Sequence, residues 1–275
     1  MARVASLTLL ALLSATAQEK SVRYQTVPRN DIERRLRSVE YSNGKREQRL
    51  KQFFEEAGCK SDQLYEQPVE HSNAPNLICT LTGETGSVIL VGGQFDFFNG
   101  GDGVVHNWSG CSLLPSLFQS IKGSPRRHTF VFVGFTDKEK GSVGSKFYVN
   151  ELDKQRLANI SAMVNLDSLG SGPTQVELYR SDKRLVNVLA STASYLKLPL
   201  GMVDGHLVRR WDSESFQDKK VPTISIHSLS QATLPILHTS RDQMSAIKLD
   251  DYYDTYLLLR VYLAELDQIL DAPAN

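Results

Sequence analysis

Apolar residues recur along this chain with two different spacings, and the change of spacing predicts helices interleaved with strands. In segment 45–57, Leu50, Phe53 and Phe54 fall on one helical face, and Gly58 follows as a stop signal. Short β-branched and aliphatic runs bounded by turn residues predict strands instead. Further helices are predicted at 112–121, 142–152, 183–196 and 250–270, and strands at 76–81, 87–91, 128–133, 160–166, 175–179 and 223–226.

Strands that alternate with helices along a chain predict a mainly parallel sheet with helices on both faces. The chain has 275 residues, a length that suits one large α/β domain. We therefore predict a three-layer α/β/α sandwich around a mixed, mainly parallel central sheet. This single domain is expected to span residues 18–275.

The start of the chain has the features of a secretory signal peptide. Arg3 supplies a positive charge, residues 4–13 form an apolar run, and Ala15-Thr16-Ala17 offers a small-x-small cleavage site. The apolar run is too short to cross a bilayer as a helix, which takes about 20 residues. We therefore predict that residues 1–17 are a cleaved signal peptide, that the mature protein is secreted or periplasmic, and that it has no membrane span.

Export changes the interpretation of the three cysteines, because disulfides persist in oxidising compartments. Cys59 follows the predicted helix 45–57, and Cys79 lies in the predicted strand 76–81, so the two can meet at an edge of the domain. We predict a Cys59–Cys79 disulfide. Cys111 then remains as a free thiol that fills space as a small apolar residue.

The overall charge directs the search for function away from polyanions. Lys and Arg number 31, Asp and Glu also number 31, and no long basic run occurs. Such a chain lacks the electrostatic footprint of a nucleic-acid-binding protein. We therefore expect no nucleic-acid partner, and we look for a small ligand in a pocket.

Ligand chemistry in open α/β sheets collects in the loops that follow the carboxyl ends of the strands. Five loops of this kind carry polar residues, and they are expected to converge on one edge of the sheet. Their sequences are Gly92-Gly93-Gln94-Phe95-Asp96, Gly103-Val104-Val105-His106-Asn107-Trp108-Ser109-Gly110, Asp137-Lys138-Glu139-Lys140-Gly141-Ser142, Asn165-Leu166-Asp167-Ser168-Leu169-Gly170 and His238-Thr239-Ser240-Arg241-Asp242.

The order, spacing and flanks of these loops resemble the secreted co-catalytic zinc aminopeptidases, a family that also contains the glutaminyl cyclases. That family has His-x-Asp, Gly-x-x-Asp-Asn-x-Ser-Gly, Asp-Gly-Glu-Glu-x-Gly-x-x-Gly-Ser, Asn-x-Asp-x-x-Gly, and a final His-Thr with a nearby Asp. The resemblance covers nearly all of the chain after residue 17. It implies an α/β/α sandwich, two zinc ions that activate a shared water, and a carboxylate that takes its proton. The ligand it implies is a peptide or a small amino-acyl compound.

The resemblance also assigns a role to each site position, and three of these positions are changed. Gln94 stands at a zinc-binding His, His106 at the Asp that bridges the two ions, and Lys138 at the Glu that acts as general base. The matched positions are the ligands Glu139, Asp167 and His238, the ligand-orienting Asp96, and the pocket residues Trp108, Asp212 and Phe216.

Each of the three changes weakens a two-zinc site. The amide oxygen of Gln94 is a poor zinc ligand compared with imidazole or carboxylate. His106 cannot bridge two ions, because its ring nitrogens point in divergent directions. Lys138 would need a strongly lowered pKa to accept a proton, and the neighbouring Glu139 opposes such a shift. We therefore expect at most one zinc ion, with no zinc as the other case.

Two arrangements stay open. In the first, which is our main prediction, the Lys138 ammonium occupies the space of a lost ion and pairs with Glu139 or Asp167. The cleft is then catalytically inactive or strongly impaired, and the protein is a peptide-binding pseudoenzyme. In the second, His106, Glu139 and His238 hold a single zinc ion, as in an aminopeptidase or a glutaminyl cyclase-like enzyme. Even then the base is missing, and its removal typically costs about 10²–10⁴-fold in rate.

The other histidines are expected to have surface or core roles rather than metal-binding ones. They stand in a polar stretch, at the start of a strand, in a Gly-flanked turn and at the end of an apolar strand, and they are His71, His128, His206 and His227.

Overall fold

The structure, a computed structural model, describes residues 24–204 and 211–270. The predicted signal peptide, the predicted start of the mature domain at residue 18 and His206 lie outside these residues.

The described residues form one eight-stranded mixed sheet. The strands are β1 (Leu64–Gln67), β2 (Asn76–Leu81), β3 (Val88–Gln94), β4 (Thr129–Phe135), β5 (Ile160–Leu166), β6 (Gln175–Glu177), β7 (Gly201–Val203) and β8 (Thr223–His227). Their order across the sheet is β1-β2-β4-β3-β5-β8-β6-β7. The four central strands β4, β3, β5 and β8 run parallel, whereas β1/β2, β2/β4 and β6/β8 pair antiparallel.

Helices cover both faces of this sheet. They are α1 (Arg29–Arg37), α2 (Asn43–Ala57), α3 (Ser109–Ile121), α4 (Val143–Asn150), α5 (Lys154–Ala158), α6 (Lys183–Leu196), α7 (Ser213–Gln217) and α8 (Leu249–Ile269). The main hydrophobic core lies between the sheet and α1, α2, α3, α6 and α8. A smaller core lies on the opposite face, under α4, α5 and α7.

Alternation along β4 shows why the sheet has two cores. Phe130 and Phe132 point into the main core, whereas Val131 and Val133 point into the smaller one. Successive side chains of a strand face opposite sides of its sheet, so a strand that is apolar throughout must be covered on both sides. The predicted α/β/α fold with a mixed, mainly parallel sheet is confirmed.

The predicted helices and strands agree with the structure except at some ends and in short elements. Helix α2 begins two residues before its predicted start, because Ser42 caps it by accepting the Lys45 N–H at 3.4 Å. It ends at Gly58, whose φ of 92° favours glycine. Five short elements, α1, β1, α5, β7 and α7, are not predicted, because they bury too few apolar side chains to show a period.

The predicted disulfide is present. Cys59 and Cys79 are bonded, with their Cα atoms 6.5 Å apart, and the bond joins the residue after Gly58 to strand β2. Cys111 is a free, buried thiol, as predicted. Over residues 24–204 and 211–270, no helix combines the length and the apolar character needed to cross a membrane.

Candidate functional site

Loops at the carboxyl end of the sheet bring the predicted site residues together. Strands β3, β4, β5 and β8 are parallel neighbours, so the loops after them start side by side. His106 comes from Val104–Trp108, an irregular helical turn that leads into α3. The strand loops contribute Asp96 after β3, Lys138 and Glu139 after β4, Asp167 after β5 and His238 after β8.

His106 lies at the centre of the site, and its side chain is buried. Its Nδ1 is 2.9 Å from Asp167 Oδ1 and 2.8 Å from Ser168 Oγ. The Ser168 hydroxyl donates to the same Asp167 oxygen at 2.5 Å. On the other side of the ring, Nε2 is 2.8 Å from Lys138 Nζ and 3.0 Å from Glu139 Oε1. The ring is therefore held by a carboxylate on one side and faces two charged groups on the other.

Glu139 joins the two histidines of the site. Its Oε1 lies near His106 Nε2 and 3.3 Å from Lys138 Nζ, and its Oε2 is 3.1 Å from His238 Nε2. The His106 and His238 rings lie 5.1 Å apart, measured between ring centroids. Phe98, which is 53% exposed, packs on His238 at 5.1 Å. Because the His238 side chain is itself 45% exposed, these two residues mark the mouth of the cleft.

Two carboxylates and two basic groups lie together here, and each carboxylate stabilises the charged form of the basic groups and the reverse. Burial raises the pKa of Glu139, but the hydrogen bond to His106 and the Lys138 ammonium lower it to about 2. Burial also raises the pKa of Asp167, yet His106 and Lys138 hold it well below its usual range. Burial lowers the pKa of Lys138, but Asp167 and Glu139 outweigh that effect and raise it. Lys138 is therefore protonated at neutral pH.

The proton count on His106 follows from its neighbours. Burial and Lys138 lower the pKa of the ring, whereas Asp167 and Glu139 raise it to about 9. A doubly protonated ring donates to Asp167 from Nδ1 and to Glu139 from Nε2. A ring protonated at Nδ1 alone instead accepts the Lys138 N–H at Nε2. In both forms Asp167 holds a proton on Nδ1.

Two further carboxylates hold the loops that carry these groups. Asp96 Oδ1 and Oδ2 accept the backbone N–H groups of Lys138 and Glu139, both at 3.0 Å. Asp242 accepts the N–H of Val105 at 2.6 Å and that of His106 at 3.2 Å. Backbone N–H groups that would otherwise be buried without a partner are thereby satisfied. The orienting role expected of Asp96 is exerted here on the backbone of residues 138 and 139.

Gln94 is buried next to the site but is turned toward Asn107. The Asn107 side-chain amide donates to Gln94 Oε1 at 3.3 Å and to the Leu166 carbonyl at 2.9 Å. Gln94 Nε2 has no hydrogen-bond partner among the described residues. The Gln94 oxygen therefore already accepts one hydrogen bond from Asn107.

The three predicted pocket residues are all fully buried. Trp108 belongs to the main core, where its ring packs on Phe53 at 6.3 Å and its indole N–H donates to the Arg35 carbonyl. Phe216 belongs to the smaller core. Both are fully buried, so they support the cleft from beneath it.

Asp212, the third pocket residue, is a buried carboxylate without a hydrogen-bond partner in the described part of the chain. Burial raises its pKa to about 7. The nearby Ser145 hydroxyl is the largest influence that lowers this pKa, and it also donates to the Ser142 carbonyl at 3.3 Å. Lys138 also lowers the pKa of Asp212, so the carboxylate lies within electrostatic reach of the site.

The donor set fits one zinc ion in atom type and spacing. One ligand atom each from His106, Glu139 and His238 lies within 4.8 Å of the others. A tetrahedral ion with bonds of about 2.0–2.1 Å needs ligand atoms roughly 3.3 Å apart. His106 Nε2 lies 3.0 Å from Glu139 Oε1, and His238 Nε2 lies 3.1 Å from the other carboxylate oxygen, Oε2, so binding through a single Glu139 oxygen requires small side-chain shifts. Asp167 on His106 Nδ1 is the usual support of a metal-binding histidine.

Lys138 competes with such an ion for the same space. Its Nζ lies among the candidate ligand atoms, as the distances to His106 and Glu139 show. At an effective dielectric constant of about 20, a divalent ion and an ammonium group 4 Å apart repel each other by roughly 8 kcal/mol. An ion at His106, Glu139 and His238 therefore requires Lys138 to turn away. At the position expected to bind a second ion, Gln94 offers only a neutral amide oxygen, which is a poor zinc ligand.

A mainly parallel α/β sandwich with a His–Glu–His cluster at the carboxyl end of its central strands defines the class of metallopeptidase-like folds. Within this class, residues 76–262 match the sequence family Peptidase family M28, and the chain belongs to that family. The resemblance stated from the sequence motifs is thereby confirmed.

The chain is also similar to individual relatives in sequence and to solved structures in fold. Probable leucine aminopeptidase 2 of Trichophyton verrucosum is 28% identical over 115 residues, which are 42% of this chain and 23% of that protein. The chain thus matches less than a quarter of the relative's length. The aminopeptidase LapA of Legionella pneumophila has the same fold, with a TM-score of 0.76, 20% identity, and coverage of 89% of this chain and 73% of LapA. A glutaminyl cyclase from an Acidobacteriales bacterium superposes with a TM-score of 0.73 at 14% identity, over 92% and 98% of the two chains.

Several residues of the site were not singled out by the sequence. Asn107 accepts the N–H groups of Gly110 and Ser168, and Asp242 holds the backbone at His106. Asp242 corresponds to the Asp near the final His-Thr of the family pattern, so the sequence could have identified it. For Ser168, the only indication in the sequence is its position directly after Asp167. His227, for which a surface or core role is predicted, is buried, and its Nε2 has no partner among the described residues.

Proposed function

We propose that this member of Peptidase family M28 is an exported protein whose cleft binds the amino-terminal part of a peptide, or a small amino-acyl compound, and hydrolyses it slowly or not at all. The carrying observation is the position of Lys138, whose Nζ lies 2.8 Å from His106 Nε2 and 3.3 Å from Glu139 Oε1. The ammonium group thus lies among the atoms that would otherwise bind a metal ion.

The chemistry of Lys138 supports slow or absent hydrolysis. The residue stands where the family resemblance expects a general base, and its raised pKa keeps it protonated. A protonated amine cannot take a proton from water. Loss of a positioned base typically lowers the rate by about 10²–10⁴-fold.

The same cleft still offers groups that bind a ligand. Glu139 and Asp212 can accept N–H groups from an amino terminus, and Lys138 can donate to a carbonyl oxygen. Phe98 at the mouth provides an exposed apolar surface. Binding without turnover is therefore the function that this set of groups supports best.

Metal content and turnover of the purified protein test the proposal. We expect zinc far below one ion per chain by mass spectrometry, no release of amino acids from amino-acid anilides, and binding of a leucyl dipeptide by calorimetry. The variant Lys138→Met, which removes the ammonium at similar length, should weaken dipeptide binding. Chelator-sensitive turnover by a protein with about one zinc per chain would overturn the proposal.

A second candidate function rests on the His106, Glu139 and His238 donor set. If Lys138 turns toward Asp212, these three side chains can hold one zinc ion, which would supply a Lewis acid for a bound carbonyl group. Asp167 would then keep His106 in the tautomer whose Nε2 is free, and Asp96 and Asp242 would keep the loops in place. The variant His238→Phe separates the two functions, because it should abolish zinc binding in this case and leave dipeptide binding nearly unchanged in the first.

Export is part of the proposal and has its own support. The Cys59–Cys79 bond suits an oxidising compartment. The described helices include none that could span a membrane. Expression of the full chain in a secreting host, followed by amino-terminal sequencing of the released protein, should give a chain that begins at Gln18. Retention of an intact amino terminus inside the cell would contradict export.

A further inference from the structure

Arg46, in α2, is a buried cation whose hydrogen bonds within the described residues all go to backbone carbonyl groups. Its side chain is fully buried, and Nε donates to the Glu40 carbonyl at 2.7 Å. Nη1 donates to the carbonyls of Phe95 and Gly103, each at 3.2 Å, and Nη2 donates to that of Asp102. Burial lowers the pKa of the guanidinium to about 10, so the group stays protonated at neutral pH. A methionine would fill this place without the cost of desolvating a charge, so packing alone does not explain the residue.

Three of the four carbonyl groups belong to one loop, residues 95–103, which follows β3. Nη1 binds the carbonyls at its two ends, Phe95 and Gly103. The guanidinium also lies over the Phe97 ring, 4.0 Å from its centroid. The planar fork of an arginine can donate to several acceptors at once in fixed directions. Arg46 thus holds both ends of the loop against α2.

The middle of loop 95–103 packs on the mouth of the cleft. The Phe98 ring contacts the His238 ring, with the centroids 5.1 Å apart. The Asp102 N–H donates to the carbonyl of Asp242 at 3.0 Å, and the Asp242 carboxylate holds the backbone near the centre of the site. The loop therefore contacts both ends of the segment that begins with His238.

Two glycines make this contact close. An added Cβ at Gly100 would overlap the His238 carbonyl oxygen, and one at Gly101 would overlap the Thr239 carbonyl oxygen. Backbones that approach each other this closely leave no room for a side chain. A shift of the loop would therefore move or uncover His238.

We infer that Arg46 is a positioning residue of the cleft. It holds loop 95–103 against the segment that carries His238, and so keeps Phe98 at the mouth, where the ligand enters. The inference rests on the proposed function, because the affinity that Arg46 sets is that for the amino-terminal part of a peptide. Its effect on the mouth of the cleft can also be measured without a ligand.

Two buried arginines provide a matched pair of variants. Arg46→Met removes the guanidinium from the loop, whereas Arg35→Met removes one that is also buried but donates to Ser116 and Gln119 in α3. Calorimetry on the full protein, at a temperature at which circular dichroism shows every variant folded, measures binding of a leucyl dipeptide. We expect Arg46→Met to bind it about tenfold more weakly than the wild type, the equivalent of one or two net hydrogen bonds. Arg35→Met should bind like the wild type even though it is less stable.

Chemical labelling of His238 tests the position of the loop directly. Diethyl pyrocarbonate modifies accessible imidazoles, and mass spectrometry of peptides measures the rate at His238. We expect labelling about twofold faster in Arg46→Met, because 45% of the His238 side chain is already exposed and loss of Phe98 uncovers much of the rest. Arg46→Lys keeps the charge but lacks the planar fork, so its rate should lie between those of Arg46→Met and the wild type. Arg35→Met should match the wild type.

The outcomes separate this inference from the proposed function. Unchanged labelling of His238 in folded Arg46→Met, or an equal change in Arg35→Met, would overturn the positioning role. Unchanged dipeptide affinity in Arg46→Met would overturn it too, provided that the wild type binds the dipeptide. Failure of the wild type to bind would overturn the proposed function, and labelling would still decide whether Arg46 holds the loop. If Arg46→Met fails to fold, Arg46→Lys and Gly101→Ala decide, because the inference requires faster labelling of His238 in both.

Discussion

The described part of the chain contains two buried histidine–aspartate pairs of similar geometry, and their surroundings differ. His106 Nδ1 lies 2.9 Å from Asp167 Oδ1, and His128 Nδ1 lies 3.1 Å from Asp267 Oδ1. Both imidazole side chains are 1% exposed. The pairs differ in what surrounds the remaining ring nitrogen.

His128 and Asp267 have a structural role. Asp267, from α8, also accepts the backbone N–H groups of Arg127 and His128, so the pair fastens the last helix to the start of β4. The Nε2 atom of His128 has no partner among the described residues. Around His106, by contrast, Lys138 and Glu139 both approach Nε2.

Position on the sheet explains this difference. His128 precedes a strand, at the amino end of the parallel sheet, whereas His106 lies at the carboxyl end, where several loops meet. Charged side chains from distant parts of the sequence converge there because the strands are parallel. A buried His–Asp pair therefore links a helix to a strand at one end of the sheet and belongs to a cluster of charged side chains at the other.

The largest expected effect comes from rebuilding the family pattern around the first pair. The triple variant Gln94→His, His106→Asp and Lys138→Glu replaces the imidazole and the ammonium by carboxylates and adds a ligand. We expect its zinc affinity to rise by roughly 10³-fold or more, because a like charge is removed and donors are gained.

Zinc titration by competition with a fluorescent chelator measures this rise, with wild type and Lys138→Glu as controls. The single variant should gain less than the triple one. If the triple variant binds zinc no better than the wild type, the correspondence of loops to family motifs is wrong.

Breaking the second pair should affect stability and leave the cleft unchanged. Asp267→Asn removes the charge and one acceptor oxygen from His128 and from two backbone N–H groups. We expect a loss of about 1–3 kcal/mol in the free energy of unfolding, because buried donors lose an acceptor. Urea unfolding measures it, and dipeptide binding to the folded variant should match the wild type. A matching loss of binding would mean that the two ends of the sheet are coupled.

A smaller effect is expected from acid at the carboxyl end of the sheet, where Glu139 contributes to stability. The pKa of Glu139 is lowered to about 2 in the folded protein, so its ionised form stabilises the fold above its unfolded pKa of about 4.3, and this stabilisation is lost as the pH falls toward 2. After allowance for the partial exposure of Glu139, we expect the wild type to lose about 2 kcal/mol more than Glu139→Gln between pH 5 and pH 2.5. Urea unfolding at the two pH values measures the difference. Equal losses would show that Glu139 is not held by His106 and Lys138.

The fold followed from patterns that local physics sets. The strand 160–166 and the helix 183–196 have the bounds predicted from their apolar spacing, because each buries a full face or stripe. The edge strand β1 and the short helix α5 escaped prediction, since most of their side chains are exposed or half-buried. Site positions were predictable through the resemblance, which identified Glu139, Asp167 and His238 before any geometry was known.

Residue types alone do not show which atoms form hydrogen bonds with each other. Only packing could show that Asp96 accepts backbone N–H groups, that Gln94 accepts the Asn107 side-chain amide, or that His227 Nε2 has no hydrogen-bond partner within residues 24–204 and 211–270.

Sequence alone was enough for the α/β/α architecture and the Cys59–Cys79 bond, and it predicts the loss of two-zinc chemistry at Gln94, His106 and Lys138. These conclusions depend on local periodicity and on the identity of single residues. The placement of the Lys138 ammonium against His106, and the different roles of two similar histidine–aspartate pairs, required the three-dimensional arrangement. Electrostatic interactions act through space and depend on burial, so residues far apart in the chain set each other's charge once the sheet has brought them together.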